Sequence, residues 1–369
     1  LLNSGIAEES ELKVIAPENL GQKDYKSEWR EYEKLTAKGL DRSALDLVFE
    51  VYKKAKADKN TAIQFKAIQI YLNIRAELEE DSRLYTLNLL NKEIRQAYFP
   101  AKPLLEQVKA EFLLQYYQAN LYSIISLERA EGDLPEDIEE WGPNNFMDEI
   151  ETAFRNSLEH KSLLLKYNRD LFSNALAFSG AGDEYLIETL YDLIAYNALQ
   201  YYSSRPEYGV LSLQRQVLQD QRLYSLPKKY MALKSFPEGQ HQEVLFLYQE
   251  LMKIHASNED ALLNYSLKRL EYVNSNSAGA NNTSRFYKSL EEHIESYSDN
   301  SFTSEYWHRK AVMFQRNALP FKIEDEPRLD SALAICKFVQ DEFKGSRGAS
   351  LCSNLELSLV QPRFSASAP

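Results

Sequence analysis

The sequence predicts an all-α chain: a tetratricopeptide-like α-solenoid, an array of antiparallel helical pairs. Three observations predict it. Apolar residues recur in steps of three and four over most of the chain, as they do on a helix with one buried face. Helix starts fall near 23, 43, 61, 83 and 103, so one helix takes about 20 residues and a pair about 40, the range of helical solenoid repeats. Glycine is scarce, 12 of 369 residues, which disfavours turn-dense β architecture and glycine-rich nucleotide cradles.

The elements follow in order. Residues 1–22 hold a polar stretch, Asn3 to Gln22, without periodicity. It is expected to be a flexible tether left after an upstream segment, such as a secretory signal, is removed. A first array half is expected over 23–204. Its first helix carries Tyr25, Trp29 and Tyr32 and is stopped by Gly39, since glycine accepts the left-handed turn that ends a helix. Ser43 is expected to cap the next helix, whose buried stripe is Ala44, Val48, Val51 and Ala55. Asn60 caps a helix carrying Ile63, Ala67, Ile70 and Ile74. Asp81-Ser82 opens one carrying Leu84, Leu87, Leu90 and Ile94, closed by Pro100. Pro103 stands where a first-turn proline is tolerated, ahead of Leu105, Val108, Phe112 and Tyr116.

Gly132 to Pro143 reads as an acidic connector containing Trp141, followed by a helix from Phe146 to His160 and a weakly patterned stretch to Gly182. Leu186, Leu190, Leu193 and Ile194 begin a helix to about Ser203, broken by Arg205-Pro206. The second array half, 205–361, is expected to hold a helix from Ser212 to Tyr224, a turn at Pro237-Glu238-Gly239, and helices over 241–255 and 259–273. Ser257 with Asp260 resembles a capping box. The composition of Ser275 to Ser284 reads as a loop. Helices over 284–297 and 303–318, a linker from Pro320 to Pro327, and a final pair over 329–343 and 347–360 complete it. Residues 362–369 are expected to begin a following β-domain. No tetratricopeptide consensus is matched, so the architecture is read from period and packing alone: each pair has an apolar face that only a neighbouring pair can cover.

Net charge is −12, which makes the chain a poor candidate for gripping phosphate backbones, a task for Lys/Arg clusters. No apolar run approaches the ~20 residues of a membrane span. No P-loop, GxGxxG, GxSxG, HExxH or EF-hand spacing is present, and those motifs carry the corresponding chemistries through their spacing. His160, His241, His255, His293 and His308 lie too far apart to form a local ligand pair, and read as partly exposed helix residues. No cofactor, metal or catalytic residue is assigned, and the chain is read as non-enzymatic. Cys336 and Cys352 each lie eight positions from Lys344. In an antiparallel hairpin that spacing sets the thiols side by side, as a disulfide in an oxidising compartment or as two buried thiols in a reducing one. Of 24 tyrosines, the doublets Tyr116-Tyr117 and Tyr201-Tyr202 stand out. Adjacent helical positions point about 100° apart, so one ring of each doublet is expected to pack and the other to reach the boundary, either as core lining or as part of an interaction surface.

Several segments resemble bacterial alpha-2-macroglobulin-like proteins, of the large type found in Bacteroidetes: LTAKGLDRSALDLVFEVYKKAKADKN (Leu35 to Asn60), FKAIQIYLNIRAELEED (Phe65 to Asp81), DLPEDIEEWGPNNFMDEI (Asp133 to Ile150), TLYDLIAYNALQYY (Thr189 to Tyr202) and SRGASLCSNLELSLVQP (Ser346 to Pro362). The resemblance implies an exported, periplasmic or outer-membrane-anchored protein, with this helical region ahead of a string of β-sandwich domains and a protease-trapping activity residing elsewhere in the molecule. It implies as partners the downstream macroglobulin domains, an envelope protein or a protease. The family's thioester requires a Cys-Gly-Glu-Gln run; here the cysteines stand in Cys336-Lys-Phe-Val and Cys352-Ser-Asn-Leu, so no thioester residue carries over. The alternative is a glycan-binding lipoprotein of the helical starch-binding type, which would present exposed aromatic pairs. A third is an (α/α) toroid enzyme, which would need carboxylates and histidines at the centre of a closed ring.

Overall fold

The computed structural model describes residues 12–79, 82–126, 134–173, 186–204, 217–239, 241–278 and 281–360. They form an all-α array of neighbouring helical pairs, with isolated β-bridges in place of strands. The chain divides into two compact units: residues 1–200 with 208–211, and 201–207 with 212–369.

The helices of the first unit are α1 (Lys26–Ala37), α2 (Asp41–Ala57), α3 (Thr61–Leu78), α4 (Ser82–Gln96), α5 (Ala101–Ala119), the single turns α6 (Leu121–Ile124) and α8 (Lys161–Leu164), α7 (Pro143–Leu158) between them, and most of α9 (Leu190–Ser204). Gly39, at φ 67°, ends α1 as expected: its N–H bonds the Thr36 carbonyl and the Leu40 N–H bonds the Leu35 carbonyl, the paired closure that a left-handed residue permits. Ser43 does not cap α2. The helix starts earlier, from Leu40, and Ser43 lies inside its first turn. Asn60 does cap α3, accepting from the Ile63 N–H at 3.1 Å. Ala44, Val48, Val51 and Ala55 are all buried in the α2 face that packs on α3. Burying one such Val side chain contributes roughly 1.5–3 kcal/mol.

Part of the expected tether is fixed. Ile15 N–H bonds the Phe99 carbonyl at 2.9 Å and Phe99 N–H bonds the Lys13 carbonyl at 2.7 Å. Tyr167 Oη donates to the Ile15 carbonyl. An unpatterned segment can therefore be held by backbone pairing that sequence periodicity does not register. The helix expected from Phe146 begins at Pro143, where Asn145 Oδ1 accepts from the Gly142 N–H.

The second unit holds α10 (Pro227–Met231), α11 (Gln242–Ile254), α12 (Glu259–Ser275), α13 (Asn282–Ser296), α14 (Thr303–Gln315), α15 (Asp325–Glu342) and α16 (Arg347–Val360). Four expectations are corrected. The described part of the Ser212–Tyr224 helix is a bridge at Leu218 and one short 3-10 turn, Gln221–Tyr224. Its backbone is satisfied from outside: Leu218 N–H bonds the Asn276 carbonyl at 2.9 Å, Arg269 Nη1 bonds the Leu223 carbonyl at 2.8 Å, and Ser289 Oγ bonds the Tyr224 carbonyl. Asn258, not Ser257, caps α12. Pro327 is no linker residue but sits in the first turn of α15, where its missing N–H costs nothing. The loop after α12 is also shorter than Ser275 to Ser284, since α12 runs to Ser275 and α13 starts at Asn282.

The core of this unit includes a set of buried polar side chains. Arg269 is fully buried, with its guanidinium 4.3 Å from the Tyr230 ring centroid. Its Nη2 donates to Ser266 Oγ at 2.9 Å. His293 Nδ1 faces the Ser289 carbonyl at 2.7 Å and must donate there, so Nε2 accepts from Ser266 Oγ at 2.9 Å. The Tyr306 ring stacks on His293 at 5.1 Å. Burial first, and then the charge of Arg269, holds the His293 pKa down to about 3. His241 and His255 are buried too, so three of the five histidines are core residues and not the partly exposed positions expected of them.

The expected break at Arg205-Pro206, the residues Gly132, Gly182 and Asp81, and the β-domain start at 362–369 lie outside the described residues.

Candidate functional site

In the first unit, α3, α4 and α5 enclose a groove of about 700 Å³, within the size of sites for small molecules or short polymer segments. Its two long walls follow from helical spacing. Lys66, Gln69, Ile70, Asn73 and Ala76 of α3 step by three and four and so share one face; Val108, Glu111, Phe112, Gln115, Tyr116 and Ala119 do the same on α5. Arg83 and Thr86 of α4 close one side.

Glu111, on the α5 wall, is bonded from both α3 and α5. Gln107 Nε2 donates to its Oε1 at 3.0 Å, and Gln69 also bonds it. Burial raises its pKa, and the two amide donors oppose the rise. A carboxyl shifted by burial inside a cleft is a recognised mark of a functional position. Asn73 and Gln115, one on each wall, make no hydrogen bond to another described residue. Each carboxamide offers donors and an acceptor.

The α5 wall is stiffened from behind. Tyr116 stacks on Phe146 at 5.5 Å, Tyr117 lies 5.7 Å from the same ring, and Trp141 lies 5.2 Å from it. Trp141 Nε1 donates to the Pro135 carbonyl at 2.8 Å, a bond internal to the acidic connector. Arg83 stands 5.2 Å from the Tyr116 ring and pairs with Glu139 of that connector at 3.3 Å. Lys66 lies 4.7 Å from the Trp29 ring centroid.

The first tyrosine doublet divides as its helical phase requires: Tyr117 is buried and Tyr116 lines the groove. The second does not. Tyr201 and Tyr202 are both buried, their rings 5.1 Å apart, so neither offers the expected surface. α9 has a broad buried face, with Leu190, Tyr191, Leu193, Ile194, Ala195, Ala198 and Leu199 all buried, and so broad a face gives both members of the doublet a place inside. Cys336 and Cys352 are free thiols packed in one cluster. The groove itself was not legible in the sequence. The available signal is that polar residues recur at the helical step on two helices separated by one other.

Among the described residues no group of three His, Cys, Asp or Glu side chains converges as a metal site, and no helix is long and apolar enough to cross a membrane. The chain matches no known family model, no curated protein and no solved structure.

Proposed function

We propose that this chain is a non-catalytic holding region, and that the groove between α3, α4 and α5 receives an extended polypeptide segment. In an exported alpha-2-macroglobulin-like protease inhibitor, that segment would belong to the downstream macroglobulin domains or to an envelope partner. The observation that carries the reading is the pair of uncommitted carboxamides, Asn73 and Gln115, on facing walls. A peptide group presents one N–H and one C=O, which a carboxamide matches in a single two-point contact. Phe112 adds an apolar face for a side chain, and Lys66, Arg83 and Glu79 supply charges of both signs around it.

The glycan reading has less support. Its aromatic pairs should lie open, whereas Tyr117, Tyr201 and Tyr202 are buried and Tyr116 is stacked on Phe146. Hydrogen exchange on the purified chain, with overlapping peptides from the parent protein and a panel of oligosaccharides, distinguishes the two. Slowed exchange in α3 and α5 with a peptide, lost in the N73A/Q115A variant, supports the proposal. Slowed exchange with an oligosaccharide alone transfers the site to the glycan reading.

A further inference from the structure

The last hairpin of the second unit, α15 and α16, contains both cysteines of the chain. Cys336 and Cys352 are fully buried in a cluster with Ala311, Val339, Ala349 and Leu355. The two helices that carry them pack directly against each other, and both side chains enter that one cluster. The turn between the helices is set by Gly345 at φ 80°, a conformation that glycine accepts without strain. At the start of α16, Gly348 presses so closely on Ser304 of α14 that an added Cβ would overlap its backbone. The register of α16 is thereby fixed by the surrounding packing and not by the sulfurs.

We propose that Cys336 and Cys352 form a dithiol–disulfide pair that locks α15 to α16 when the protein enters an oxidising compartment. This goes beyond the groove reading and does not rest on it. The oxidant is a small disulfide such as oxidised glutathione, or a protein thiol–disulfide oxidoreductase. The Cys336 thiol gives its proton to water, and its thiolate attacks one sulfur of the oxidant. The oxidant's S–S bond breaks and its first thiolate leaves with the electron pair. Cys352 then loses its proton and attacks Cys336 Sγ, the mixed disulfide breaks, and the second thiolate leaves. Two protein thiols become one disulfide, and one oxidant disulfide becomes two thiols. Because both sulfurs are sealed in the core, the reaction requires the hairpin to open or to be still folding. The closed bridge would resist reductants for the same reason.

The test incubates the full chain with oxidised glutathione, both folded and during refolding from urea, and maps cysteines by alkylation and non-reducing peptide mass spectrometry. A Cys336–Cys352 cross-linked peptide is expected after refolding, with slower formation in the folded protein. The bridged form should melt about 5–10 °C above the reduced form, as closure of a short loop in a unit of this size predicts. C336A and C352A should each abolish that difference. Two alkylatable thiols after oxidative refolding, or cross-links only between molecules, would overturn the proposal.

Discussion

α3 and α5 of the first unit leave Gln69, Asn73, Glu111 and Gln115 along a groove, whereas α12 and α13 of the second unit bury Ser266, Arg269 and His293 completely. Both sets stand on helices that pack on their neighbours, and both include a titratable side chain. The difference is in what completes the polar groups. In the second unit each side chain is bonded inside the protein, Arg269 to Leu223 and Ser266, Ser266 to His293, His293 to Ser289, although the buried Arg269 Nε has no partner among the described residues. In the first unit Asn73 and Gln115 have no such partner. A closed network raises rigidity and is costly to interrupt; an open one is cheap to alter and has capacity for a ligand. The contrast therefore separates residues that hold the fold from residues available for binding.

The largest expected effect tests the closed network. R269A removes the donor to the Leu223 carbonyl and leaves a cavity against Tyr230. It should destabilise the second unit by about 3–5 kcal/mol, read from urea melts together with hydrogen exchange of α12 and α13. R269M fills most of the volume but leaves the carbonyl unpaired, and should recover part of the loss. Full recovery by Met would mean that volume, not polar closure, holds this core.

Next is a pH effect. His293 has a folded-state pKa of about 3, while an unfolded histidine titrates near about 6.5. Between those values the unfolded chain binds the extra proton, so stability is present above pH 6.5 and falls as the pH drops toward 3. At pH 5 the loss from this one group is about 2 kcal/mol. Burial raises the carboxyl pKa of Glu106, Glu111 and Glu271, which works in the opposite direction. Only the difference between wild type and H293Q isolates the histidine. The variant should lose less stability between pH 7.5 and pH 5; equal losses would show that His293 is not held neutral by the closed network.

Helix ends were the part of the fold most legible from residues, and also where reading by residue type failed. Asn60 was identified as a cap because an Asx side chain there meets the free N–H groups of the first turn. The same rule misplaced the α2 cap onto Ser43, because Leu40 and the Gly39 turn already set that boundary. The stripe Ala44, Val48, Val51 and Ala55 could be read because one helix face is enough to define it. The groove, and the satisfaction of Leu223 and Tyr224 by Arg269 and Ser289, could not, because each depends on which distant helices meet. Cys336 and Cys352, which lie in one buried cluster, can be related to each other in the sequence because a hairpin is a local structure. The Asn60 cap gives the third prediction. Its side chain accepts from Ile63 N–H and donates to the Lys23 carbonyl at 2.6 Å, so N60A should cost about 1–2 kcal/mol in the first unit. N60D keeps the acceptor but loses the donor, and should fall between.

The smallest effect on stability is expected at the groove, and it is the most informative. N73A and Q115A remove side chains with no partner among the described residues, so each should change the unfolding free energy by no more than about 0.5 kcal/mol. For a peptide that slows exchange in α3 and α5, the double variant should lose about 10-fold or more in affinity, since each carboxamide contributes on the order of 1 kcal/mol through hydrogen bonds made only in the complex. The two measurements together decide the point. A cost above about 1 kcal/mol in the free protein would place these carboxamides with Ser266 and Arg269 as parts of the fold. Unchanged stability with unchanged affinity would leave the polar stripes of α3 and α5 as solvated helix faces and move the search for a partner away from this groove.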